Sequence, residues 1–452
     1  MCYSNKAMPA IRQHSLLWRI KWVSALCLLG LVCGGASRAA ERDYKFQGSI
    51  SQEVLGNYLS RAITMNGLSY SDTPEDDYRM IKKLGPKFVG RVSYIWSAET
   101  DFPSYYGKPV EEADLFQRAE ATSKRLHEID PDIIVQACIF EIVEKAYVDQ
   151  LDVPARVFEE FGLKPVARKF SYEAMLYESG LFRNQWGKDQ SVPDMSRVET
   201  QMWFFYRATR YIDIGYEAIH FGQCAMMDKR DPDHKNWWKT LTRIRNYAKA
   251  HGRRGLVLCD AHTFGILDEQ GNLLYDFHSF PSRPVEIAGK ANEAKLMIDD
   301  LKYIYKRSKG GMTASGWRCD SLPYLVEFDN THTSGREGQG GLGGCWVWGY
   351  EEISWFAFNG SNYRDYWLEY AYDWIKKNDP VGHLQMPGKV PLAFYDYSKE
   401  KRLWYRLNNP GKSCPAGYGQ EDKVKALWSE ERLSAGIKTE ALGEPLAQKR
   451  GM

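Results

Sequence analysis

The chain has 452 residues, with 60 Lys and Arg against 58 Asp and Glu, a formal charge of +2 and 44% hydrophobic residues. That length allows one large domain or two small ones, and the apolar content is ample for a core. No basic stripe or Lys/Arg-rich block points to a nucleic-acid partner.

In chain order, the first residues stand apart. Lys6, Arg12, Arg19, Lys21 and Arg38 occur there without an acidic residue, around the apolar run from Trp22 to Val32 and before a small-residue stretch ending at Ala40. This layout predicts a signal peptide at 1–40 cleaved near Ala39 or Ala40, and so an exported protein, periplasmic or secreted, with no stable membrane insertion after cleavage. An uncleaved anchor is the alternative, although a run this short spans a bilayer poorly. Losing those cations takes the formal charge from +2 to −3.

The mature chain opens with a polar lead-in, and Ala62 to Asn66 is the first strand candidate. Thr73 as cap, Pro74 at the first position and Gly85-Pro86 as stop predict the next helix. Lys87 to Trp96 reads as a second strand, Glu111 to Ile129 as a helix, and Ile133 to Phe140 as a third strand followed directly by Glu141. Residues 145–198 exceed an ordinary connection, and loops of this size shape sites. Glu199 to Ile212 reads as helix.

The clearest unit follows. Glu217 to Gln223 and Gly255 to His262 are apolar strands flanking a helix over 232–250, in which Trp237, Leu241, Ile244 and Ala248 recur at helical spacing. Strand, helix and strand make a βαβ unit, which implies parallel strands. Ile266 to Leu274 suggests a hairpin around Gln270-Gly271. Leu274 to Ser279 is a sixth-strand candidate, Glu286 to Lys306 has helical spacing, and Tyr324 to Asn330 is a seventh strand. A glycine-rich loop from Ser334 to Gly344 leads to Cys345–Tyr350, read as the eighth, and an aromatic helix over 363–377 closes the pattern.

The fold class expected is α/β, a (β/α)8 TIM-type barrel over 41–387 with a small C-terminal β-rich extension over 388–429 and a disordered tail over 430–452. No GxGxxG follows a strand, which argues against a Rossmann fold. Of the six cysteines after residue 40, Cys138, Cys224 and Cys259 read as buried thiols, no spacing suits zinc, and Cys319 and Cys345 could pair in an oxidising compartment.

Parallel sheets carry ligands at the carboxyl ends of their strands. Glu327 and Asp329 sit two apart and share one face there. With Glu141 and Asp260 they form a converging acidic set, the candidate catalytic residues. Glycosidic bond cleavage needs two carboxyl groups, roughly 5 Å apart for retention or 6.5 to 9.5 Å for inversion. The bland reading is that these acids pair with Arg91, Lys145 or Arg318 and hold loops; Glu351-Glu352 fits a helix start. The 15 Trp and 28 Tyr suit stacking on sugar faces as well as an aromatic core. Candidate substrate-binding residues are Arg91, Trp96, Gln223, His262, His278, Trp346 and Trp348.

On these features residues 60–378 resemble the (β/α)8-barrel glycoside hydrolases, without motifs of one family. In the large retaining clan with this fold, the acid is a Glu after Asn at the end of strand four and the nucleophile a Glu at the end of strand seven. The resemblance assigns Glu327 the nucleophile's place, with Asp329 competing. Strand four ends Phe221-Gly222-Gln223, and Gln223 cannot donate a proton as an acid does. That leaves Glu141 or Asp260 as acid, an inverting scheme, or no hydrolysis. The reading implies a carbohydrate substrate and calls for no cofactor and no metal. The alternatives are a non-catalytic sugar-binding barrel, or a metal-dependent hydrolase using Asp260, His262, His278 and Asp329. Against the latter, Thr64-Met65-Asn66 lacks a His-x-His.

Overall fold

Strand residues repeat one pattern: an apolar side chain, then a polar or glycine position two residues on. It runs Ala62/Thr64, Phe88/Gly90, Ile134/Gln136, Ala218/His220, Leu258/Asp260, Phe277/Ser279 and Leu325/Glu327. Positions two apart share a face, so each strand turns an apolar residue and then a polar one the same way. The computed structural model describes residues 42–96, 112–298, 304–330, 333–396 and 401–429. All lie in one compact unit, Glu41–Met452. The expected signal peptide and the expected tail over 430–452 lie outside the described residues.

A short helix, α1 (Gln52–Leu59), precedes strand β1 (Ala62–Met65) where the sequence suggested only a polar lead-in. Helix α2 (Pro74–Leu84) starts on Pro74 and ends on left-handed Gly85, whose N–H donates to Ile81 O. Thr73 does not cap it; its hydroxyl accepts from Arg406 instead, at 2.7 Å. Strand β2 (Phe88–Ser93), helix α3 (Glu112–Ile129) and strand β3 (Ile134–Cys138) follow, then α4 (Val198–Asp213), β4 (Ala218–His220), α5 (Lys235–His251) and β5 (Leu258–Asp260). Beyond them come β6 (His278–Pro281), β7 (Tyr324–Glu327), α6 (Glu352–Phe358), α7 (Ser361–Asn378), β8 (Gly382–Leu384), β9 (Met386–Asp396), β10 (Lys401–Arg406) and α8 (Glu421–Leu427).

The result is a mixed α/β fold around a central parallel sheet. A seven-stranded sheet runs β10-β9-β1-β2-β3-β4-β5, parallel except for the β9–β10 hairpin, and a three-stranded parallel sheet runs β8-β7-β6. Backbone bonds join the two at one margin, and the chain itself runs from one to the other at the opposite margin. Asp276 N donates to Cys259 O at 2.8 Å and Ser279 N to Ala261 O at 3.3 Å. On the other side only Gln385 separates β8 from β9, and its N–H donates to Val326 O at 2.8 Å. Ala62, Phe88, Ile134, Ala218, Leu258, Phe277 and Leu325 form a buried cluster with Val54, Leu55, Tyr58 and Leu59 of α1. The larger core lies outside the strands, where Trp237 of α5 meets Phe204 of α4 and Phe221, each with ring centroids at 5.6 Å.

Two expected elements are corrected. Cys345–Tyr350 is not the eighth strand but a tight turn closed by a Val347–Tyr350 bridge, with Trp348 and Gly349 at φ of 52° and 78°. Gly382–Leu384 takes that edge beside β7. Where the described residues cover the helix expected from Glu286 to Lys306, its first part is instead a short hairpin, Val285–Glu286 against Ala294–Lys295, and 299–303 lie outside the described residues. Its backbone is captured by the aromatic helix: the hydroxyls of Tyr363 and Tyr370 accept from Ala294 N and Leu296 N, both at 3.0 Å. Helical spacing there yields to tertiary hydrogen bonding. The hairpin at Gln270-Gly271 does form, bridged at Leu267 and Leu273. Cys319 and Cys345 are separate thiols. No described helix is long and apolar enough to cross a membrane.

Helix α8 is held to α2 by two carboxylates, exposed Asp422, 2.7 Å from Lys83 Nζ, and buried Glu421. Fully buried Glu421 accepts from Arg79 at 2.5 Å and Asn409 N at 2.7 Å and lies 2.9 Å from Lys83 Nζ. Burial disfavours its charge, but the Arg79 and backbone bonds outweigh that and bring its pKa from 4.5 to about 2. A carboxyl with a depressed folded-state pKa adds stability above its unfolded value that is lost as pH falls through the folded one. Acid unfolding is therefore expected to show a loss between pH 4.5 and about 2 that Glu421→Gln removes. The difference at neutral pH should be on the order of 1–2 kcal/mol by urea titration, since the half-exposed Arg79 admits solvent screening.

Candidate active site

The strand pattern continues upward by another step of two. Asn66, Gly222, His262, Pro281 and Asp329 follow Thr64, His220, Asp260, Ser279 and Glu327, and all five line a cavity of about 840 Å³. From the α1 side outward, the layers are thus an apolar floor, a polar middle and an open mouth.

The middle layer is hydrogen-bonded around Asp260. Asp260, 0% exposed, accepts from Gln136 Nε2 at 2.8 Å, His220 Nδ1–H at 2.8 Å and Ser279 Oγ–H at 2.6 Å. Burial lowers the pKa of His220 against the opposing pull of Asp260. A side chain on Gly90 would place its Cβ 2.2 Å from Gln385 Nε2 and 3.1 Å from Gln136 Oε1, so glycine there makes room for the polar layer.

Glu327 stands at the top of this layer, 5% exposed. Its Oε1 accepts from the Arg91 guanidinium and from His262 Nε2–H at 2.8 Å, leaving Oε2 outside the clamp. Burial works against its charge, but Arg91 and then His262 outweigh it and hold the carboxyl far below its ordinary range. Arg91 reaches across because β2 breaks its register with β3 between Val89 and Ser93, where Arg91 itself is left-handed at φ 58°. A bulge that re-aims a side chain, at a conformation costing of order 1–2 kcal/mol, marks a site the surrounding structure enforces.

Two further carboxyls face the cavity itself. Glu141, just past β3, accepts from Gln223 N at 2.8 Å and Gln223 Nε2 at 3.1 Å. Trp186, from the long 145–198 segment, donates its indole N–H to Glu141 O at 3.0 Å and packs on Trp96 at 5.1 Å. Tyr94, Phe140 and Phe264 complete an aromatic wall. Opposite in character, Asp329 pairs with Arg283 at 2.6 Å. Buried Glu352 binds the loop beneath by accepting from Ser282 N, Ser282 Oγ, Arg283 N and Asp329 N. Burial raises the pKa of Glu352.

The residues singled out from sequence divide accordingly. Glu141, Asp329, Arg91, Trp96, Gln223 and His262 line the cavity, and Glu327 lies directly under its Arg91 and His262 walls. Asp260 is enclosed in the layer below. His278 is buried, its Nδ1 2.9 Å from Ser308 Oγ and its pKa lowered to about 3 by burial and Lys309. Trp346 lines an adjoining cavity, and Trp348 donates its indole N–H to Glu293 O at 2.9 Å. Sequence reasoning missed Arg283, Tyr94 and Trp186. Lys145, weighed as a partner for the acids, pairs with Asp149 at 2.7 Å instead. Asp260, His262, His278 and Asp329 each bond elsewhere, and among the described residues no group of His, Cys, Asp and Glu is arranged to hold a metal ion.

No family model and no curated protein matches the chain. Among solved structures it is similar to a debranching enzyme of Nostoc punctiforme, at 8% identity over 52% of this chain and 55% of that one, with a TM-score of 0.30. It is similar also to a β-1,4-D-mannanase from Cryptopygus antarcticus (10%, 83% and 90%, TM-score 0.32) and a β-L-arabinopyranosidase from Geobacillus stearothermophilus (13%, 46% and 50%, TM-score 0.26). The match spans about half the length of the first and third of these. The likeness to glycoside hydrolases is a general one, and at such scores it fixes neither fold nor activity.

Gly222 ties backbone to chemistry. At φ +58°, a Cβ there would lie 1.9 Å from Glu141 Oε2. Gly222→Ala is expected to cost at least ~2 kcal/mol in urea unfolding. Gly56→Ala, in α1 with nothing within 4 Å, should instead stabilise by up to ~1 kcal/mol.

Proposed function

We propose that the protein is an exported glycoside hydrolase acting on a neutral poly- or oligosaccharide. The two sheets form the walls of one eight-stranded (β/α)8 barrel, with Gly382–Asp396 as the strand between β7 and β1. The backbone bonds at one margin, the chain continuity through Gln385 at the other and the floor drawn from successive strands support that reading.

The observation that carries the function is the presence of two differently held carboxyls at adjoining levels, Glu141 on the wall of the aromatic-lined cavity and Glu327 directly under its Arg91 and His262 walls. Glu327 is held ionised by Arg91 and His262 and turns Oε2 away from them, as a nucleophile or base requires. Glu141 has no ion-pair partner among the described residues and lines the cavity beside Phe140 and Trp186, and it is the carboxyl we assign as acid. In this scheme Glu141 protonates the leaving oxygen, Glu327 attacks or activates water, and Asp329 with Arg283 holds hydroxyls at the rim. Trp96 and Trp186 supply stacking faces. Gln223 is then a positioning residue whose amide and backbone N–H fix Glu141.

Glu141→Gln is the primary test, because it breaks no ion pair. It is expected to cut kcat by about 10²- to 10⁴-fold on a responsive neutral polysaccharide while leaving thermal unfolding and sugar binding intact. Glu327→Gln should fall comparably, and full activity in either variant would remove that residue from the mechanism. A second reading, a non-catalytic sugar-binding barrel, is favoured by the amide of Gln223 where the retaining clan keeps its acid. Its signature would be tight binding with the oligosaccharide recovered intact.

A further inference from the structure

A smaller cavity of about 280 Å³ adjoins the mouth, walled by Arg283, Glu286, Cys345, Trp346, Glu352 and the glycine-rich backbone from residue 341. Arg283 and Cys345 line both spaces, so the two are neighbours across one side-chain wall. We propose that this cavity is a second glycosyl subsite, which takes one neutral sugar unit adjacent to the unit held over Glu327. The proposal rests on the glycoside hydrolase reading and adds to it that the substrate is a chain with at least one further sugar placed on the Trp346 side.

Size, shape and charge select that occupant. Ligand sites commonly run from about 300 to 1,000 Å³, so this space suits a single ring rather than a chain. The two neighbouring tryptophans divide their work. Both are half-buried; Trp348 packs against the hydrophobic core and donates its indole N–H to Glu293 O, and Trp346 forms cavity wall. A flat aromatic wall matches the apolar face of a sugar ring. The loop is fixed in place: Glu286 accepts from the N–H of Gly341 and from that of Trp348, the latter at 2.7 Å. A Cβ on Gly340 would meet Glu286 Oε2 at 2.8 Å and the Trp348 ring at 3.0 Å. A wall held this way costs little ordering on binding. The Arg283 guanidinium is already matched by Asp329 at 2.6 Å and Glu352 at 3.3 Å, and Glu286 adds a further carboxyl. Such a wall offers hydrogen bonds without a spare positive charge, which favours a neutral sugar over a uronic acid or a sulfated one.

The test is calorimetric binding by the full-length Glu141→Gln protein, in which turnover is slowed, of the neutral monosaccharides mannose and glucose and of manno-, cello- and malto-oligosaccharides up to hexasaccharide. Adding Trp346→Ala should weaken the disaccharide and longer members of the bound series about tenfold and leave the monosaccharide unchanged. Trp346→Phe, which keeps a ring, should recover most of the loss, and thermal unfolding of both variants should match the parent. Equal weakening at every length, or none, while the parent still binds would overturn the subsite and leave the site reading standing. Failure of the parent to bind any member would overturn the site reading, and the subsite with it.

Discussion

Asp260 and the donors around it set the terms for the rest of the molecule. A carboxyl with no solvent contact persists only if its lone pairs are taken, and Gln136, His220 and Ser279 take them from three different strands. Removing any one would strand a buried polar group at a cost of about 1–3 kcal/mol. The bonds therefore lock β3, β4, β5 and β6 in relative height. That common height puts His262, Gly222, Pro281 and Asp329 at one level above them, and the cavity is a consequence of it.

The site inherits both its rigidity and its electrical character from this layer. Arg91 enters from a bulged strand and neutralises Glu327, whose oxygen is divided between a clamped side and an open side. Glu141 is fixed from the opposite direction by Gln223, and only a glycine at 222 leaves space for it. Asp329 and Arg283 are in turn suspended from Glu352, at the first residue of α6. Glu141 and Asp329 at the mouth and Glu327 just beneath it thus have three separate supports, which is how groups of the same type come to differ in behaviour.

Much of this was readable from the chain alone, because it follows from the period-two spacing of strands. The first five strands, the helix with Trp237 and Leu241, and the shared face of Glu327 and Asp329 all follow from that spacing. The same rule taken further separates the last two acids by layer, since Glu327 continues the polar level and Asp329 the rim. What could not be read came from tertiary capture. The Glu286 to Lys306 segment has helical spacing, yet two tyrosine hydroxyls from α7 fix its part from 285 to 296 as a hairpin. The Cys345–Tyr350 run has strand-like residues, yet Trp348 and Gly349 turn it back on itself. Arg283 carries no local signal, since its importance arises only when β6 brings it beside Asp329. His278 looked available because it ends an apolar run, but its ring is enclosed beside Ser308.

The segment from Gly382 to Asp396 lies between strands drawn from distant parts of the chain, pairing first with Tyr324–Glu327 and then with Ala62–Met65. A ribosome therefore releases the amino-terminal strand long before its neighbour exists. Until Met386 can reach Ile63 the sheet keeps an open edge on that side, and closing so long a loop is slow. More than three hundred residues must be made between the two strands of this seam, so the nascent protein keeps an edge open to edge-to-edge association until Met386 has emerged.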